Sequence, residues 1–177
     1  NNDKGYSYYL PESVRLENSN DYNKKLYSNG NYYYLYIDTI SYYYKININY
    51  KINKKAYFSK KITFNKKNGY VEINKIKDKY FVQIMYNYAK IEAFVDEQHL
   101  NDTIANNCYI LSTIKFNDKI LDTLLGNNIL DYSEEKFEVL KPKRETGAFL
   151  DYIDNYNDIN NELPDEDQII PNEDQEL

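Results

Sequence analysis

The sequence predicts an α+β fold, a twisted antiparallel sheet of about six or seven strands with a late helix packed on one face. Two observations point there. From Tyr32 to about Val95, apolar side chains recur at alternate positions in runs separated by short polar turns, as in half-buried strands. Beyond Asp96 the recurrence changes to helical spacing, as on an amphipathic helix.

Gly5-Tyr6-Ser7-Tyr8-Tyr9-Leu10 reads as a first strand stopped by Pro11, and Val14-Arg15-Leu16 as a short second one. Asn18 to Asn23 is a polar loop, and Ser28-Asn29-Gly30-Asn31 is a strong turn signal. In the next strand, Tyr32 to Asp38, one face carries Tyr33, Leu35 and Ile37 and the other Tyr32, Tyr34, Tyr36 and Asp38, so both faces should be at least partly covered. Ser41 to Ile52 alternates around Ile46, Ile48, Tyr50 and Ile52 and reads as a strand with one wet face. A meander follows: Ala56 to Phe64, Tyr70 to Ile76 and a long run from Tyr80, joined by polar hairpin loops at Asn65–Gly69 and Lys77–Lys79. Within the long run the apolar face switches from Tyr80, Val82, Ile84, Tyr86 and Tyr88 to Ala89, Ile91, Ala93 and Val95, so a bulge or break near Asn87 is expected, giving a kink or two separate strands. Asp96 then caps a helix over 97–113 whose Leu100, Ile104, Cys108 and Leu111 form one stripe. Ile114-Lys115-Phe116 closes that element. A short helix, Lys119 to Leu125, ends at Gly126, and Lys136 to Leu140 reads as an edge strand stopped by Pro142.

With 177 residues the chain suits one domain with length to spare. The boundaries read from the sequence are a domain over 1–145, with a core at 6–116 and an extension at 117–145, followed by an acidic tail over 146–177. From Asp151 onward there are ten acidic residues and no basic one; the rest holds 18 acidic against all 22 basic residues, a net of about +4 against −6 for the whole chain. The tail should be mobile or folded back on the basic body. With 22 Tyr and 7 Phe, tyrosine must supply much of the buried area, each hydroxyl turned to water or a partner. The Asn, Lys, Ile and Tyr bias also fits the codons of an AT-rich genome. The single Cys108 has no internal disulfide partner and, among apolar neighbours, is expected to be a buried, inert thiol.

Most catalytic chemistries find no support. A Ser-His-Asp or Cys-His arrangement would have to use His99, the one histidine, which sits in a helical first turn beside Glu97 and Asp102 and reads first as a solvated side chain. There is no H-E-x-x-H, C-x-x-C, G-x-G-x-x-G or P-loop, so no transition-metal or glycine-loop nucleotide site is expected. The acidic run Asp151 to Asp158 fails the EF-hand pattern. Paired carboxylates on strands (Asp38, Glu72, Glu92) could act on a glycan, although strand carboxylates usually form only a wet face. Lysines cluster from Lys45 to Lys79 with tyrosines between them, a pattern that suits a solvated face, single-stranded nucleic acid or another polyanion.

The opening Tyr6-Ser7-Tyr8-Tyr9-Leu10-Pro11 and the closing Ile110-Leu111-Ser112-Thr113-Ile114-Lys115-Phe116, with a sheet between them, resemble the superfamily of PsbP-like and DcrB-like proteins. The resemblance covers residues 6–116 and departs from the pattern in lacking a tryptophan after the opening proline. Many bacterial members are envelope lipoproteins without known catalysis. The resemblance therefore implies an export leader and a binding or assembly role, and it transfers no functional residues.

The leading expectation is a non-catalytic, extracytoplasmic interaction module in the envelope of a Gram-positive bacterium. Because the chain opens Asn1-Asn2-Asp3 without methionine, a signal peptide, lipoprotein leader or membrane anchor is expected upstream, and with it a membrane tether. Its partner would be a protein or an anionic envelope polymer, met by a sheet face with Tyr34, Tyr36, Asp38, Tyr43 and Lys45 as candidate binding residues. No catalytic, cofactor-binding or metal-ligating residue is assigned, no cofactor is implied and nucleic acid is not the expected partner. Two alternatives stand beside this: a carboxylate-dependent enzyme acting on glycan or peptide, and a basic-face nucleic-acid binder.

Overall fold

The computed structural model describes residues 4–20, 22–126 and 139–144. The chain divides into a body, residues 1–142, and a C-terminal unit, residues 143–177, of which Lys143 and Arg144 are described. The expectations for the acidic tail lie outside the described residues.

Seven strands make one antiparallel sheet: β2 (Arg15–Ser19), β3 (Asn23–Ser28), β4 (Asn31–Ile37), β5 (Phe58–Phe64), β6 (Lys67–Ile76), β7 (Lys79–Tyr86) and β8 (Ala89–Asp96), in the order β2-β3-β4-β8-β7-β6-β5. Two meanders thus meet at a β4–β8 seam. A two-stranded piece pairs β1 (Tyr6–Ser7) with β9 (Lys115–Phe116), and the helices are α1 (Thr39–Tyr43), α2 (Leu100–Thr113) and α3 (Asp118–Leu125). The α+β architecture read from the alternation is the one observed, and α2 lies on β7 and β8.

The phase change near Asn87 has a simple cause. Tyr86 pairs with Ala89 across a two-residue turn, so the chain reverses there, and partners an odd number of residues apart share a face. Asn87 and Tyr88 both have left-handed backbone (φ 51° and 60°), as do Asn29-Gly30 (49° and 79°) and Asn65-Lys66 (47° and 60°), the conformation such hairpins require. The expected loop at Asn65–Gly69 is therefore only Asn65-Lys66, with Lys67 already paired to Phe64.

Five expectations are corrected. The strand foreseen over Ser41–Ile52 is α1 followed by irregular chain: Asp38 caps the helix, its carboxylate accepting from Ser41 N–H at 2.8 Å and Ser41 Oγ at 2.6 Å. Strand β3 was hidden because its inward residues are Lys24, Leu26 and Ser28. The Lys24 ammonium bonds the Asn20 carbonyl and lies 5.7 Å from the centre of the Tyr6 ring, so a lysine occupies a core position. The helix expected over 97–113 is a single 3-10 turn (Glu97–His99), capped by Asp96, and then α2. Its buried stripe is Thr103, Asn107, Ile110 and Leu111, so Cys108 is turned outward and exposed. Of the expected strand Lys136–Leu140, Val139 and Leu140 are helical and the rest lies outside the described residues.

The core under α2 takes Leu26, Leu35, Ile84, Ile91 and Ile110, all at most 1% exposed, with Tyr33 turning its hydroxyl to Thr103 Oγ1 at 3.4 Å. Each such aliphatic side chain contributes about 1.5–3 kcal/mol on burial. The opposite face carries a smaller cluster of Tyr50, Tyr70, Met85 and Leu140. It is covered by the chain that follows α1 and by a strap at 139–142, where the Leu140 carbonyl accepts from the Tyr70 hydroxyl at 2.6 Å.

Candidate functional site

Between Asp38 and Glu72 the chain holds eight lysines and no acidic residue. The fold gathers three of them on a groove of about 440 Å³, a size usual for ligand sites. One side is the irregular Ile46–Tyr50 segment; Lys61 and Thr63 of β5 and Lys66 to Tyr70 at the β5–β6 turn line the rest, together with Met85, Asn87, Tyr88 and Tyr42. The two-residue turn sets Lys66 at the hairpin tip, and alternation along β5 sends Lys61 and Thr63 to this face. Lys61, Lys66 and Lys67 form no ion pair among the described residues.

Aromatic rings pack beside those charges. Tyr50 stacks on Tyr70 at 4.3 Å and 7°. Tyr42 stacks on Phe116 at 3.9 Å, meets Tyr88 edge-on at 5.8 Å, carries Lys45 Nζ 3.6 Å from its ring centre and donates its hydroxyl to Asp118 Oδ1 at 3.0 Å. Burial, followed by that hydrogen bond and the Asp118 charge, pushes the Tyr42 phenol up to about 12. Burial and the charge of Asp38 push Tyr88 up as well. Both are therefore neutral rings with a polar rim at physiological pH, suited to stacking and hydrogen bonding.

The five residues singled out from the sequence do not converge. Tyr34 and Tyr36 lie together on the face away from α2, beside a shallow recess formed with β3. Asp38 is 4% exposed and occupied as the α1 cap. The Tyr43 hydroxyl is hydrogen-bonded to Asp122, which raises its pKa. Lys45 is at the end of α1 in left-handed backbone (φ 54°), against Tyr42. Of the five, only Lys45 adjoins the groove. The signal that could have found the groove was the acid-free lysine run, together with a β5–β6 turn confined to Asn65-Lys66.

The strand carboxylates share a face but serve structure. Cross-strand pairing sets Lys25, Tyr34, Glu92, Gln83, Glu72 and Ser59 in one row across six strands. Glu72 and Glu92 are two strands apart, roughly 9–10 Å between backbones. Both are fully buried, as are Gln83 and Lys90. Glu92 pairs with Lys90 Nζ at 2.8 Å, and Lys90 also donates to the Lys141 carbonyl at 3.1 Å. Glu72 accepts from Tyr50 at 3.0 Å and from Asn53 Nδ2 at 2.9 Å. A substrate has no path to such a pair, so acid–base work on a glycan is not supported by this geometry.

His99 is likewise occupied: Nδ1 lies 2.6 Å from Asp96 Oδ1. Burial opposes charge on Asp96, but the bonds from His99 outweigh it and hold the carboxyl below its usual value. Desolvation pushes the Cys108 thiol up, which makes it a poor nucleophile at neutral pH. Among the described residues no group of three or more His, Cys, Asp or Glu is placed to hold a metal ion, and no helix is long and apolar enough to cross a membrane. No protein-family model, curated protein or solved structure matches the chain.

Proposed function

We propose that this chain is a non-catalytic, extracytoplasmic interaction module of a bacterial cell envelope, whose groove holds an anionic polymer of the teichoic type. The observation that supports this reading is the set of three lysines, Lys61, Lys66 and Lys67, in no ion pair among the described residues, around a groove bordered by neutral tyrosine rings and asparagine amides. Ammonium groups meet successive phosphates, the amides bond hydroxyls of the repeating unit, and the rings cover its carbon skeleton. The envelope placement rests on the resemblance of residues 6–116 to the PsbP-like and DcrB-like superfamily.

The test is binding of a poly(glycerol phosphate) chain, with dextran as a neutral control and single-stranded DNA as a competitor. Three lysine–phosphate contacts imply a slope of about −2 in log K against log salt, a loss of roughly 20-fold between about 50 and 200 mM. Replacing Lys61, Lys66 and Lys67 by Gln should abolish that slope. Equal retention of dextran would end the reading. Tighter retention of single-stranded DNA would replace the polymer with nucleic acid.

A further inference from the structure

The two edges of the seven-stranded sheet are built differently. Edge strand β2 carries a register shift between Leu16 and Asn18 and an Arg15–Glu17 ion pair, devices that discourage another strand from adding there. Edge strand β5 pairs with β6 without interruption from Phe58 to Phe64. No strand pairs on its outer side among the described residues. Its ends are apolar and open to water: Phe58 is 45% and Phe64 62% exposed.

Alternation divides β5 between two environments. Phe58, Lys60, Ile62 and Phe64 are on the α2 side, where a recess of about 170 Å³ is lined by Ile62, Phe64, Ile84, Tyr86, Cys108 and Leu111 and is almost wholly apolar. Ser59, Lys61 and Thr63 point to the other face. Lys54, Lys55, Lys60 and Lys61 surround the strand with positive charge, and none is ion-paired among the described residues.

We propose that β5 is a docking edge for an extended acidic peptide, which adds as an eighth strand with apolar side chains toward Phe58, Ile62 and Phe64 and carboxylates toward Lys61. Main-chain hydrogen bonds hold the strand, and the alternate pockets select its sequence. Charge decides the occupant. A second copy would set one lysine-rich β5 against another, and like charges across a strand pair repel, whereas an acidic strand is drawn in. The partner segment therefore alternates apolar and acidic residues over about seven positions. This surface meets the polymer groove along β5, where Lys61, Ile62 and Thr63 also line the groove.

The probe is a labelled, end-blocked nine-residue peptide alternating valine with glutamate, followed by fluorescence anisotropy. In an added strand one alternate set of N–H groups faces β5 and the other faces water. N-methylation of one set should cost tenfold or more, and of the other set less than threefold. Phe58→Ser and Phe64→Ser should each weaken the peptide about tenfold with an unchanged circular-dichroism spectrum, while Lys66→Gln with Lys67→Gln should leave it within threefold. A valine–lysine peptide should not bind. Equal effects of the two methylation patterns, or no binding at millimolar peptide, would overturn the proposal. So would sedimentation showing a dimer that Phe64→Ser dissolves, since the occupant would then be a second copy.

Discussion

Lys90→Met should unfold this protein far more readily than its own net contribution suggests. Lys90 and Glu92 are both fully buried, with 2.8 Å between charged atoms. At an effective dielectric of about 20, the attraction over that distance is about 6 kcal/mol. Removing two ions from water costs several kcal/mol each, so the pair as a whole stabilises little. Removing one partner is different, because the other ion stays buried after losing the opposite charge 2.8 Å away, and each single variant, Lys90→Met or Glu92→Met, should lose about 3–5 kcal/mol. The double variant restores an apolar pair of similar volume and should lie within about 1.5 kcal/mol of the parent, part of that deficit coming from the Lys141 carbonyl that loses its donor. Urea unfolding at neutral pH, followed by far-UV circular dichroism, measures all four corners of the cycle. A single variant that costs less than about 1 kcal/mol, or a double variant whose loss is the sum of the singles, would refute the reasoning.

Other outcomes test other parts of the structure. Asn107 is fully buried on α2 and its amide reaches no protein partner among the described residues, so Asn107→Leu should stabilise the fold by about 1 kcal/mol and raise the thermal midpoint. A Cβ at Gly69 would collide with the Met85 carbonyl oxygen on the neighbouring strand, so Gly69→Ala should cost more than about 2 kcal/mol in urea unfolding. Tyr88 holds a bulky side chain in left-handed backbone at about 1–2 kcal/mol of strain, so Tyr88→Gly should keep the thermal midpoint near the parent's while weakening polymer binding through loss of a groove ring. The Tyr42 phenol is raised to about 12 from a usual value near 10. Its stabilising effect is thus complete below about pH 10 and is lost as pH rises through about 12. Tyr42→Phe should remove that alkaline step from the unfolding curve.

Strands β4 to β8 were legible because each is long enough for alternation to show, and α2 because Asp96 begins a clear change of period. What stayed hidden follows from polar residues placed inside. β3 turns Lys24 and Ser28 inward, and α2 buries Thr103 and Asn107 in preference to Cys108, so a hydrophobic count finds the wrong face in both. The Ser41–Ile52 alternation was real but local: the Asp38 cap bonds Ser41 and turns the chain into a helix before a strand can start. The groove was half legible. Its lysines stood out as a run without acids, but its rings come from Tyr42, Tyr50, Tyr70 and Tyr88, which only the tertiary fold assembles. Tyr34, Tyr36, Asp38, Tyr43 and Lys45 are neighbours in sequence, and the fold sends them to different surroundings.

The meeting of the two meanders has a consequence for how the chain reaches this arrangement. Within the large sheet every pairing except β4–β8 links consecutive strands. Those hairpins close over two to three residues and need little search, whereas joining Ile37 to Ala89 closes a loop of about 50 residues, at roughly 3.5 kcal/mol of chain entropy. That joint should therefore form late, and it is where the wrong register would be most costly. A slip of one residue would turn β4 over and set Tyr33, Leu35 and Ile37 beside Lys90 and Glu92, on the face away from α2. The buried ion pair, nearly neutral for stability, then serves as a check on assembly: Lys90 and Glu92 stand two residues apart on β8, and only the correct join sets Tyr36 and Tyr34, rather than aliphatic side chains, beside them.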